Sequence, residues 1–476
     1  MSTIDIPIRS GKKHALSPWG PRTWPVLRHS KAPRPALIGA AVAGLIGAVT
    51  LVDNTFGVLI TALAFVVVAL TVRSGRLSLW EWVGVAGVLA LASVSALRAA
   101  EWIVTMSTTL AIVVGAVVLS RAWTWTGIAL GALLPVLLPV RVVRWTRRGA
   151  GSIDLEGPRP VRIGMVTIVT VALIVVFAAL FGAADRRFAD ALSAVTPEFD
   201  VASILGRTLV FVLTAGGALA VSYVALHPPR FDRLAPSPRR TLRLWEWMIP
   251  LGAVVALFVV FVAFQVPTLF GGQGHVLTTE GLTNAEYARQ GFWQLLAVTV
   301  LTLLVIAVTV AKAGRKDRGD RIALRALLGA LCLLSLVIVA SALHRMSLYE
   351  QQYGYTTLRL FVTAVEWWLG SVFVLLLAAG VRMSGRWLPR AVGVGAVLTV
   401  LALAALNPDA YIARHNVERF EQTGGIDVFY LSGLSSDADA ELDRLPDFTR
   451  ACVEGRGVVR VGNTWQWCTD PLVSVP

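Results

Sequence analysis

What most constrains this chain is a series of continuous apolar runs, most of them about 18 residues or longer, that recurs from Ala36 to Leu406. A helix rises about 1.5 Å per residue, so about 20 apolar residues cross a hydrocarbon layer of about 30 Å. The runs are continuous and do not alternate, which excludes an outer-membrane β-barrel. The expected class is all-α, a polytopic transmembrane helical bundle. Candidate spans are Ala36–Val52, Phe56–Val72, Leu79–Leu97, Trp102–Ser120, Ile163–Gly182, Ala202–Leu226, Trp247–Val266, Phe292–Ala311, Ile322–Ala342, Thr357–Val381 and Trp387–Leu406.

A further stretch, Trp125–Val140, is short, holds Pro135 and Pro139, and has arginines at both ends. Basic flanks on both sides favour a re-entrant or interfacial segment, which leaves eleven spans. Its Gly127-x-x-x-Gly131 spacing suits close packing. With the N-terminus inside, the cytoplasmic segments carry 28 lysines and arginines and the short outer loops five, with Arg359 just inside its span. Making Trp125–Val140 a full span destroys that asymmetry. The net charge of +14 follows from the same rule, so no nucleic-acid partner is expected.

The expected layout is a disordered basic cytoplasmic tail over 1–35, a bundle over 36–406 and an extracytoplasmic tail over 407–476. The localisation expected is a bacterial inner membrane, with the C-terminus outside. The last segment reads as a small α/β unit. Asn407 and Pro408 start a helix stopped by Gly424-Gly425, a short helix covers Asp437–Arg444, and two strands flank Gly462-Asn463. Cys452 and Cys468 bracket that hairpin and are expected to form a disulfide. A Trp-Glu-Trp triplet occurs at residues 80–82 and again at 245–247, too little to establish an internal repeat.

No phosphate-binding loop, zinc-protease motif, nucleophile elbow or dinucleotide fingerprint is present. The six histidines show no metal-ligand spacing, and no cofactor or metal is expected. The candidate site is a polar cluster toward the outer side: Arg207, Arg289, Arg345, Arg359 and Glu366. Glu366 lies nine residues past Thr357, or about 13 Å into the membrane. An acid there costs about 2.5–3.5 kcal/mol to insert and needs compensation. Arg359, seven positions earlier, shares nearly the same helix face.

Two readings of the cluster stand. It lines an outward-facing cavity for a small solute, ion or lipid headgroup, or it is a static Glu–Arg network that holds helix register. Besides the lipid bilayer, an envelope protein meeting the tail is a further partner to consider. An enzyme using Glu366 or His344 as a base lacks any paired nucleophile.

YARQGFWQLL at 287–296, RMSLYEQQYGYTTLR at 345–359, NPDAYIARHNVERF at 407–420 and FYLSGLSSDA at 429–438 together resemble the bacterial membrane-protein family labelled domain of unknown function 4173. The resemblance covers roughly residues 251–445. It implies a multi-span inner-membrane protein with a tail after its last span, and it implies no activity.

Overall fold

The computed structural model describes Trp24 and residues 30–73, 75–150, 170, 173–174, 177–178, 181–182, 185–188, 191, 201–234, 242–270, 292–314, 317–382, 384–455, 458–461 and 464–468. In chain order the helices are α1 (Arg34–Asp53), α2 (Gly57–Val72), α3 (Leu79–Leu97), α4 (Glu101–Ser120), α5 (Trp125–Ala132), α6 (Leu134–Leu137), α7 (Pro139–Ala150), α8 (Val201–Leu226), α9 (Leu244–Phe270) and α10 (Phe292–Lys312). There follow α11 (Arg318–Tyr353), α12 (Thr357–Arg382), α13 (Leu388–Ala405), α14 (Pro408–Thr423), α15 (Val428–Leu431), α16 (Asp439–Leu442) and α17 (Asp447–Val453). Strands β1 (Val458–Val461) and β2 (Thr464–Trp467) come last.

Among the described residues nine helices are long and apolar enough to cross a membrane, and α2 is a shorter apolar helix of 16 residues. These ten coincide with ten of the eleven expected spans. The other, Ile163–Gly182, lies largely outside the described residues, as does most of the basic tail.

The chain divides into two compact units. The first comprises Met1–Val52, Leu63–Trp82 and Gly115–Ala235. Small residues let α1 and α8 pack closely in it. A Cβ at Gly44 would crowd Phe211 and Ala215, and one at Gly47 would crowd Thr214. Trp24, Trp145, Tyr223 and Phe231 form a buried aromatic cluster. Trp24 meets Phe231 edge-on with ring centroids 5.8 Å apart, and the Arg141 guanidinium lies 4.3 Å from the Trp24 ring.

The stretch 125–140 is broken into pieces in this unit. Pro135 sits in the first turn of α6 and Pro139 starts α7, so neither helix can run straight on from the one before. Gly127 and Gly131 are buried, with Gly127 against Asp232 and Gly131 against Ser120. Asp232 accepts from Trp123 N, Thr124 N and Thr124 Oγ1, fixing the entry to α5.

The second unit comprises Asp53–Ala62, Val83–Val114 and Pro236–Pro476. Its centre is α11, 36 residues long, whose Leu331, Cys332, Ile338, Val339 and Ala342 are buried with Phe373 of α12 and with residues of α9 and α10. Val372 and Ala379 of α12 pack on Leu388 and Val392 of α13. Beyond α13 the chain folds α14, α15 and α17 around Val417, Ile426, Leu431, Leu445 and Val453. The helix α14 starts at Pro408 and ends against Gly424, both as expected. Asn407 holds its N-cap position in the left-handed region at φ 54° and makes no side-chain cap. It serves as a tight turn, where asparagine is tolerated. A disulfide joins Cys452 and Cys468, and β1 pairs antiparallel with β2 from Val458↔Trp467 to Val461↔Thr464.

The glutamates of both Trp-Glu-Trp triplets share one local role. Glu81 and Glu246 each sit in the first turn of a helix, α3 and α9, and reach back. Ser78 N donates to Glu81 Oε2 at 2.8 Å, and Arg243 N donates to Glu246 Oε2 at 2.8 Å. The acid satisfies an orphan N–H at the positive end of the helix dipole, as in a capping box.

Candidate functional site

The site is built around the turn between α11 and α12. A helix ends with carbonyls that have no partner within it. At the end of α11 these are met by two arginines. Arg359 Nη1 donates to Tyr353 O at 3.1 Å and to Gly354 O, and Arg419 Nη2 of α14 donates to Gln352 O at 2.9 Å. Cations at a helix C-terminus are also favoured by its dipole. The Arg359 guanidinium lies 4.3 Å from the Tyr349 ring centroid, and Tyr349 stacks on Tyr353 at 4.8 Å.

The segment after α13 is locked onto this turn. The Asn416 amide brackets Tyr355, accepting from its N–H and donating to its C=O, both at 2.9 Å. Gly354, at φ 79°, leaves room for that amide, because a Cβ there would run into Asn416 Oδ1. Thr357 N, at the start of α12, donates to Tyr430 Oη at 2.7 Å. The Tyr355 ring packs on His415 at 4.7 Å and edge-on to Tyr411 at 5.7 Å. Burial pushes the Tyr355 hydroxyl up to about 12, with the nearby Glu350 charge adding to the effect.

A second set of bonds ties the same segment to the turn between α3 and α4. Buried Asp409 accepts from Trp102 Nε1 at 3.0 Å and from Ser435 N at 2.9 Å. Arg98 Nε donates to Ala404 O at 2.6 Å, and Ala99 N donates to Asp437 Oδ2 at 3.0 Å.

Below this cap, two acids are buried along the α11–α12 pair. Glu350 is 6% exposed, and Thr363 Oγ1 donates to its Oε1 at 3.4 Å. Glu366, one turn past Thr363, is 1% exposed, and neither of its oxygens has a hydrogen-bond partner among the described residues. The helices run close beside it, since a Cβ at Gly370 would stand 3.4 Å from Val339.

Of the five residues of the sequence cluster, Arg345 lies half-buried on α11, and Arg359 and Glu366 lie on α12. Arg359 is turned to the end of α11, so the expected Arg359–Glu366 partnership does not form. Arg207 belongs to the other unit, where its Nε donates to Ser203 Oγ at 3.4 Å. Arg289 lies outside the described residues. Asn416, Arg419, Tyr430 and Asp409 join the site without belonging to the expected cluster, although each falls inside NPDAYIARHNVERF or FYLSGLSSDA. Among the described residues no three His, Cys, Asp or Glu side chains gather to hold a metal ion.

The family model described as Domain of unknown function (DUF4153) matches residues 83–445, about three quarters of the chain. The number 4173, under which the motifs were read, is not the one that matches. The match starts well before residue 251 and ends short of Cys452, leaving the disulfide-bracketed hairpin outside it. No curated protein and no solved structure matches.

Proposed function

The chain belongs to the family Domain of unknown function (DUF4153), and for this multi-pass membrane protein we propose a role in binding or transporting a small solute or ion, with Glu366 as the group that exchanges a proton or cation. One observation carries the reading: a carboxyl 1% exposed, within a long apolar helix, with no hydrogen-bond partner at either oxygen among the described residues. An unpaired ionised carboxylate is costly in such a place, and a proton or a bound cation removes that cost. Static pairing with Arg359 would have removed it too, but Arg359 is engaged elsewhere.

The accompanying topology is eleven spans with Trp125–Val140 as a re-entrant or interfacial segment, the 1–35 tail inside, and the disulfide-bonded 407–476 domain outside a bacterial inner membrane. The arginine asymmetry supports that orientation, and a disulfide suits an oxidising compartment. In this arrangement the α14 cap lies over the outer end of Glu366's helix. Arg359 serves mainly to cap α11.

The test is cysteine accessibility at Glu366→Cys, with a membrane-impermeant thiol reagent added from outside, Cys332→Ala removing the native thiol and exposed Gln351→Cys as control. Labelling at position 366 supports a water-accessible pathway. Labelling at position 351 alone, under all solute and pH conditions tried, removes it.

A second reading makes the outer domain a docking platform for an envelope protein. Phe429 favours it, being 80% exposed on a domain whose own core is closed. Under that reading deletion of 407–476 abolishes function while Glu366→Gln is tolerated.

A further inference from the structure

The first unit holds a second polar feature, remote in sequence from Glu366 and unused by the reading above. Two clefts, of about 620 and 430 Å³, open on either side of Arg121. Arg230 and Arg233 line the larger, and Arg73 and Arg76 line the smaller. The lining segments follow the C-terminal ends of α2, α4 and α8 and include the start of α3, so both clefts lie where spans end.

Five arginines face two acids here, and both acids are committed to the fold. Glu81 gives Oε2 to Ser78 and Oε1 to Arg73 at 2.9 Å and Arg121 at 3.2 Å. Asp232 is taken up by the backbone and hydroxyl at the entry to α5. A net positive charge of about three is left over. Arginines that only set topology are solvated; Arg73 has a side chain 10% exposed, and its Nε has no hydrogen-bond partner among the described residues. Arg121 is held at φ 51°, at the end of α4, a position where glycine is the usual choice. Strain of this kind collects at ligand-binding positions.

We propose that the pair of arginine-lined clefts sharing Arg121 binds a phosphoryl group, carried by an anionic lipid headgroup or by a soluble phosphate. A carboxylate has two oxygens and one charge, enough for one guanidinium fork. A phosphoryl group presents more oxygens and up to two charges, which suits several forks at once. Its place at the span ends is the depth of lipid phosphates.

The test uses the full chain in nanodiscs and measures phenylglyoxal modification of Arg73, Arg76, Arg121 and Arg230 by peptide mapping, at constant ionic strength. One arm adds inorganic phosphate to phosphatidylcholine discs, with chloride as the control. The other replaces 30% of the phosphatidylcholine with phosphatidylglycerol. Site occupancy slows modification at these arginines at least fivefold relative to exposed Arg444. Protection by inorganic phosphate identifies a soluble phosphate ligand, and protection only in phosphatidylglycerol discs identifies a lipid headgroup. In Arg76→Gln/Arg230→Gln, which alters exposed side chains only, the protection of Arg73 and Arg121 falls below twofold. Rates unchanged within twofold in both arms for the unaltered protein overturn the proposal, as does equal protection by chloride or undiminished protection in the double variant.

Discussion

Arg359 and Glu366 occupy one helix seven residues apart and do not pair: the guanidinium caps the carbonyls of Tyr353 and Gly354, while both Glu366 oxygens lack a partner among the described residues. Groups about 10 Å apart that share no partner contribute additively to stability, to within about 0.3–0.5 kcal/mol. A double-mutant cycle of Arg359→Met and Glu366→Gln, read from unfolding in detergent, is therefore expected to show coupling no larger than that. Coupling well above 1 kcal/mol would restore the static pair.

Asn416 replaces a backbone partner for Tyr355 with its side chain, so Asn416→Ala leaves a donor and an acceptor unmet. The expected loss is about 1–3 kcal/mol, seen as faster proteolysis of the segment after α13. Gly354→Ala is expected to have the same effect, through a positive φ and through collision with the Asn416 amide. Unchanged proteolysis in both variants would mean that this lock does not hold the segment in place.

The Cys452–Cys468 bond closes a loop of sequence separation 16. By the chain-entropy argument its removal in Cys452→Ser/Cys468→Ser costs about 3 kcal/mol. The loss should appear in the hairpin and α17, measured by hydrogen exchange, with exchange in α11 and α12 unaltered.

His227, just past the end of α8, is held below its ordinary value of 6.5 by burial, against a backbone hydrogen bond that pulls the other way. Folding therefore favours the neutral ring. Its contribution is complete above about pH 6.5 and is lost as pH falls through that value toward the depressed one. Thermal stability is expected to decline between about pH 7 and 5, with a shallower decline in His227→Gln.

Most of the helical layout was legible because a membrane helix is selected for apolar length, a property one residue string displays directly. The break at residues 133–139 was legible in Pro135 and Pro139. The start and stop of α14 were legible in Pro408 and Gly424. The site was only half legible. Glu366 announces itself as a carboxylate among apolar residues, but nothing in its own helix says where Arg359 turns. That depends on the free carbonyls at the end of α11, and on α14, some 60 residues further along, bringing Asn416 and Arg419 to the same turn. Asp409 likewise looks like an ordinary first-turn acid until α4 supplies Trp102. The Trp-Glu-Trp pairs show the opposite case, where the shared glutamate of a suggestive repeat has a local role in helix capping.

The proposed role has Glu366 exchange a proton or cation within the membrane. Dicyclohexylcarbodiimide attacks protonated carboxyls in apolar surroundings, so its reaction at Glu366 in native membranes, mapped by mass spectrometry, tests this most directly. The expected result is labelling at Glu366 that falls as pH is raised or as a bound cation competes, and no labelling at that position in Glu366→Gln. Labelling that is absent at every pH, or insensitive to both pH and cations, would contradict it.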